Sequence, residues 1–157
     1  MRVLKRQPPR APPSRDGGAR GHPVLLATLD VPFDQAAVIF AVDSAVELGQ
    51  RLIVANFVER APLPLSAMLG YDDLPYTADL ADSLQAPAQL ARSLGIDVTR
   101  LKVKSFHPVQ AMLEVAAEQD AGVFVFGPDR RRIRRLRYRR AASAIRSRIT
   151  GLVWLAD

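Results

Sequence analysis

From Pro23 to Leu155 short apolar runs alternate with helix-patterned segments, and this alternation narrows the chain to one fold class. Pro23–Asp30 (PVLLATLD) is a continuous apolar run ending in a carboxylate, the pattern of a central parallel strand. Arg51–Val58 forms a second such run. Asp97–Val103 mixes polar and apolar residues, which suits a sheet edge. Val123–Phe126 is a fourth strand closing on Gly127, and Gly151–Leu155 a fifth. Between them, residues 33–49 predict a helix with a broad apolar face and Gly49 at its end. A second helix is expected over 78–94, closed by Gly95, with Pro87 kinking or splitting it. Pro108 opens a third, with Val109, Met112, Leu113 and Ala116 on one face, and a fourth is expected over 141–148. Strands separated by helices with short turns specify an α/β architecture: a Rossmann-like, doubly wound, five-stranded parallel sheet with flanking helices.

The length of 157 residues supports one domain with a real core. Residues 1–22, rich in Pro, Gly and Arg, have little to bury and are expected to be a disordered basic arm, leaving 23–157 as the folded domain. Residues 61–76, with Pro62, Pro64 and Pro75, lack periodicity and are expected to be a long loop. The net charge of +6 conceals a strong asymmetry: residues 1–22 carry +5, residues 23–129 carry −8, and residues 130–157 carry +9. An acidic body thus holds two basic segments, and attraction to nucleic acid would depend on those segments. Cysteine is absent, which excludes thiol chemistry and disulfides. The two histidines, His22 and His107, have no carboxylate cluster nearby in sequence, so no metal site is expected. No apolar run reaches the length of a membrane span and the basic N-terminus lacks a secretory apolar stretch, so a cytoplasmic location is expected.

Eight arginines stand between Arg130 and Arg140, directly after the fourth strand. In open α/β sheets ligands bind outside the carboxyl ends of strands, where the strand order reverses. Topology therefore brings together Asp30 at the end of strand one, Phe57 near the end of strand two, and Gly127 at the end of strand four. Asp30 could accept a hydrogen bond from a base or ribose, or cap the following turn. No Walker A loop, G-x-G-x-x-G or G-x-S-x-G is present, and no nucleophile–base set can be assembled, so no enzymatic activity is expected. Asp72-Asp73 suits a solvated turn, and His107 a helix entrance.

The chain resembles the universal stress protein family from about Pro23 to Leu155. The resemblance rests on VLLATLD, the Ala-rich helix, LIVANFVE and HPVQAMLEVAAEQDAGVFVFGP in that order. It implies a five-stranded Rossmann-like sheet, dimerisation through the last strand, and a stress-response role without a defined reaction. ATP-binding members carry G-x-x-G-x9-G-[ST] after strand four. Here Gly127 matches the first glycine, Arg130 replaces the second, Arg140 and Ala141 replace the final pair, and Ser143 follows two residues on. Glycines let backbone N–H groups close around phosphates, and a Cβ penalises that approach. The resemblance thus implies a degenerate nucleotide site, with ATP or another adenine nucleotide disfavoured and no bound cofactor expected.

Two readings of the arginines follow. The run from Arg130 to Arg140, with Arg130, Arg131 and Arg140 as candidates, could hold the phosphate of a nucleotide, polyphosphate or nucleic acid by charge and bidentate hydrogen bonds, giving a basic nucleic-acid or polyphosphate module that also uses the N-terminal arm. Alternatively they are a solvated loop, or pair with the acidic body. Tyr138 alone is too little for a stacking platform on single strands, whereas Ile133 and Leu136 would anchor the stretch on the domain. The last strand would expose an apolar edge with Trp154, covered either by a second copy of the chain or by the chain's own helices.

Overall fold

The computed structural model describes residues 21–60 and 78–157, with 78–83 described by their backbone alone. Strands β1 (Val24–Thr28), β2 (Leu52–Glu59), β3 (Val98–Ser105), β4 (Val123–Phe126) and β5 (Leu152–Leu155) alternate with helices α1 (Gln35–Leu48), α2 (Ala78–Ser93), α3 (Pro108–Glu118) and α4 (Arg135–Arg148). The strands pair in parallel in the order β3-β2-β1-β4-β5. This is the five-stranded doubly wound sheet expected from the sequence.

The period-two geometry of a strand sends alternate residues to opposite faces. Leu25, Ala27, Ile53, Ala55, Phe57, Phe124 and Phe126 therefore meet Met112 and Ala116 of α3 and Tyr138, Ala141 and Ile145 of α4. On the other face Val24, Leu26, Leu52, Val54, Val123 and Val125 meet Ala37, Ala41, Val42 and Ala45 of α1 with Leu84 and Ala91 of α2. Burial on both faces explains why β1 and β4 are unbroken apolar runs. The connections change face after β3, so the strand order reverses between β1 and β4, and the crevice lies beyond their carboxyl ends. Asp34 caps α1 by accepting from the N–H groups of Ala36 (2.9 Å) and Ala37 (3.2 Å), and Gly49 ends it in the left-handed conformation, φ 61°.

Three expectations are corrected. The last helix starts at Arg135, six residues before Ala141, so four of the eight arginines between Arg130 and Arg140 are helical. Its buried residues Tyr138, Ala141, Ala142 and Ile145 recur at i, i+3, i+4 and i+7, a complete helical stripe whose anchorage outweighs the arginine repulsion. Secondly, Pro87 does not split α2, which is continuous from Ala78 to Ser93, because burial of Leu84, Ala88 and Ala91 offsets the missing hydrogen bond. Thirdly, His22, assigned by sequence to the arm, is docked on the domain, its Nδ1 lying 2.9 Å from Asp120 Oδ2. The remainder of the arm (1–20), and residues 61–77 with Asp72-Asp73, lie outside the described residues.

The edge assignment of β3 holds, with Arg100, Lys102 and Lys104 exposed along it. At the opposite edge, Trp154 stacks on Phe40 of α1 with ring centroids 5.4 Å apart and an interplanar angle of 17°. The chain's own helix thus half-covers the tryptophan, while Leu152 remains 59% exposed. No described helix is long and apolar enough to cross a membrane.

Candidate functional site

Backbone hydrogen bonds lace together the two loops that flank the crevice. Asp34 N–H donates to the Gly127 carbonyl (2.9 Å), Asp129 N–H donates to the Pro32 carbonyl (2.8 Å), and Phe33 bridges to Pro128 in antiparallel fashion. Gly127 is buried in this junction. A Cβ added there would overlap the Ala37 methyl on the first turn of α1, so the glycine is required by helix–strand packing.

The next residues form a tight turn centred on Asp129. Its carboxylate accepts from Arg131 N–H (3.0 Å), and its carbonyl accepts from the N–H groups of Arg132 (3.0 Å) and Ile133 (3.2 Å). A phosphate in such a loop would need free backbone donors, and Asp129 already occupies three of them, one through its carboxylate and two through its backbone carbonyl. Arg140 and Ala141, at the family motif's final positions, are the sixth and seventh residues of α4, where backbone N–H groups donate within the helix. Asp129 was missed by the sequence reading. The available signal was its place in a Pro-Asp pair opening a turn, where an Asx side chain bonds to the backbone two residues on.

Arg130 turns inward. Its guanidinium carbon lies 3.5 Å from the centroid of the Tyr138 ring, which itself stacks on Phe126 with centroids 5.5 Å apart. The Tyr138 hydroxyl donates to the Ala156 carbonyl, tying α4 to the residue after β5. Burial pushes the phenol pKa up from its ordinary value near 10; the charges of Arg130 and Arg146 pull it down, and Asp157 raises it. Arg130 Nε and Nη1 are shielded from solvent without a hydrogen-bond partner. Arg137 reaches across to Glu59 at the end of β2, with Nη2 at 3.7 Å from Oε2.

The remaining candidates divide. Asp30 is at the crevice in the left-handed conformation, φ 54°, its N–H donating to Asn56 Oδ1 (3.0 Å). Asp34, not Asp30, caps the helix that follows, and the Asp30 carboxylate has no hydrogen-bond or ion-pair partner among the described residues. Asn56, fully buried on β2, leaves its Nδ2 unpartnered. Phe57 is fully buried in the core beneath α3, so its ring is unavailable to a ligand; the alternation of β2 sends it there. Arg131, Arg140 and Ser143 are exposed, the latter two on α4 rather than in a loop. His107 is exposed at the entrance of α3, and its N–H donates to Ser105 Oγ (3.0 Å). The described residues contain no group of His, Asp and Glu able to hold a metal ion.

No protein-family model matches the sequence, and no curated protein matches it. Solved structures do. Universal stress protein UspA from Lactobacillus plantarum superposes with a TM-score of 0.66 at 15% identity, covering 89% of this chain and 100% of that one. A universal stress protein from Archaeoglobus fulgidus in complex with dAMP gives 0.62 at 17% identity, covering 88% and 100%. A universal stress protein in complex with cAMP gives 0.56 at 18%, covering 86% and 96%. The fold is thus the five-stranded α/β fold of the universal stress proteins. This chain is a single copy of that fold in which a turn closed on Asp129 and an arginine-rich helix follow β4.

Proposed function

We propose that this chain is a non-enzymatic member of the universal stress protein family, acting in the cytoplasm in stress response, whose nucleotide site is degenerate. The observation that carries this reading is the closure of the β4–α4 turn. Asp129 holds the N–H groups of Arg131, Arg132 and Ile133, and Arg130 lies on Tyr138. Structural neighbours hold dAMP and cAMP, so adenine nucleotides are the ligands to test. A ligand at 100 times its Kd stabilises a fold by about 2.7 kcal/mol, which a melting scan detects readily. Millimolar ATP, AMP or cAMP with magnesium should leave Tm unchanged, and the purified protein should carry no nucleotide by mass spectrometry. A rise of several degrees, abolished by Asp30→Ala, would show a working site and reverse the proposal.

The second part of the reading is a homodimer through β5. Leu152 is exposed on the free edge of that strand, and the resemblance to the family points to the same edge. Parallel addition of a second β5 would pair the open backbone groups that an edge otherwise leaves to water; an antiparallel pairing across a two-fold axis does the same and closes the assembly. Light scattering should give twice the chain mass, and Leu152→Lys should give the monomer mass without loss of helical signal. A monomer for the unaltered chain rules the dimer out.

A further inference from the structure

The ten arginines from Arg130 to Arg148 sort into two sets. Four have partners within the fold: Arg130 on Tyr138, Arg132 beside Asp129 (3.8 Å), Arg137 beside Glu59, and Arg148 donating to Gln110 Oε1 (2.9 Å). The other six, Arg131, Arg134, Arg135, Arg139, Arg140 and Arg146, are exposed and have no ion pair among the described residues. Five of these six lie at the amino end of α4 or on its exposed side. Arg135, Arg139 and Arg146 form one flank at helical spacing, and Arg140 stands on the other. Between them Leu136, Ser143 and Ser147 floor an open concavity of about 1050 Å³.

This placement is costly for an isolated domain. The first turn of α4 contains no acidic residue, its N-cap Arg134 makes no side-chain cap, and cations there oppose the helix dipole. Like charges at i, i+4, as in Arg135 and Arg139, repel as well. The body offers acids, yet among the described residues none pairs with these six side chains. Ser143 and Ser147 leave hydroxyls between the arginine flanks, and a helix of 14 residues extends about 21 Å.

We infer that the exposed face of α4 docks the phosphodiester backbone of a nucleic-acid duplex, held by Arg131, Arg134, Arg135, Arg139, Arg140 and Arg146. A duplex is favoured over single strands because the rings described on α4 and β5 are engaged inside the fold. Tyr138 is buried between Arg130 and Phe126, and Trp154 stacks on Phe40. This docking does not depend on whether the crevice holds a nucleotide.

The test is fluorescence anisotropy of a labelled 20-base-pair DNA duplex with the full chain. Six phosphate contacts give a slope of log K against log salt of about −5, so affinity should fall about 10³-fold between 50 and 200 mM salt. Changing all six arginines to Gln should weaken binding at least 100-fold and flatten the slope, while circular dichroism and Tm stay at or above those of the unaltered chain. Changing the six basic residues of positions 1–20 to Gln should leave most of the affinity and slope. Loss of binding in that second variant with retention in the first would transfer the site to the N-terminal segment and overturn the inference. So would tighter binding to single-stranded DNA, to inorganic polyphosphate of matched charge, or to phosphatidylserine vesicles than to the duplex. Absence of duplex binding at 50 mM salt ends it outright.

Discussion

Tyr138→Ala should cost the fold about 3–5 kcal/mol, the range for removing a buried aromatic side chain. Domains of this size are stable by only about 5–15 kcal/mol, so the variant would lose a large share of its stability. Three losses coincide at this residue. Its ring fills the space between Phe126 and Arg130, its hydroxyl satisfies the Ala156 carbonyl, and its position on α4 anchors the helix that carries the arginines. Urea unfolding followed by tryptophan fluorescence would measure the loss, since Trp154 is the only tryptophan and lies two residues from Ala156. A change below about 1 kcal/mol would mean that Arg130 and α4 are held by contacts other than the ring, against the usual cost of such a cavity.

Tyr138→Phe separates the ring from the hydroxyl. It keeps both stacking contacts and removes one buried hydrogen bond, leaving a carbonyl unsatisfied at a cost of about 1–3 kcal/mol. It also alters the response to alkali. The folded-state pKa of Tyr138 lies above the unfolded value near 10. Its contribution is therefore fully present below pH 10 and is lost as pH rises through the higher folded value. The unaltered chain should lose stability in that window, with a tyrosinate absorbance change accompanying unfolding. Tyr138→Phe should be less stable at pH 8 but should lose less further stability in alkali.

What the sequence made legible follows from how each element is stabilised. The central strands are buried on both faces, so composition alone marks VLLAT and VFVF, and the helices between them follow from periodicity. The start of α4 was not legible in the same way. Eight arginines within eleven residues suggested a loop, yet Tyr138, Ala141, Ala142 and Ile145 form a helical stripe beneath them. Burial of that stripe decides the local structure, and the guanidinium groups extend outward wherever solvent can reach them. Asp129 and Asn56 were invisible for a different reason: their roles depend on which backbone N–H groups the fold presents to them. The burial of Phe57 was not legible because a position near a strand's carboxyl end does not say which face the side chain takes.

Gly127→Ala should lower stability by about 1–3 kcal/mol, the cost of overpacking a filled core, and Gly127→Val should lower it further. A glycine at the start of a phosphate-binding loop is commonly explained by the ligand's need for close backbone approach. Here the restriction comes from within the chain. The backbone at Gly127 lies against Ala37, its N–H donates to the Ala27 carbonyl (3.0 Å), and its own carbonyl accepts from Asp34 N–H. Moving α1 outward to admit a methyl group would stretch that last bond and lift the Asp34 cap from the helix it starts. A packing role and a ligand role therefore give opposite results. Under packing, the alanine variant loses stability in plain buffer, and Ala37→Gly restores much of it by vacating the space the new methyl needs. Under a ligand role, Gly127→Ala would melt with the unaltered chain in buffer and differ only when nucleotide is added. Parallel melts of the single and double variants, with and without millimolar ATP, distinguish these outcomes directly.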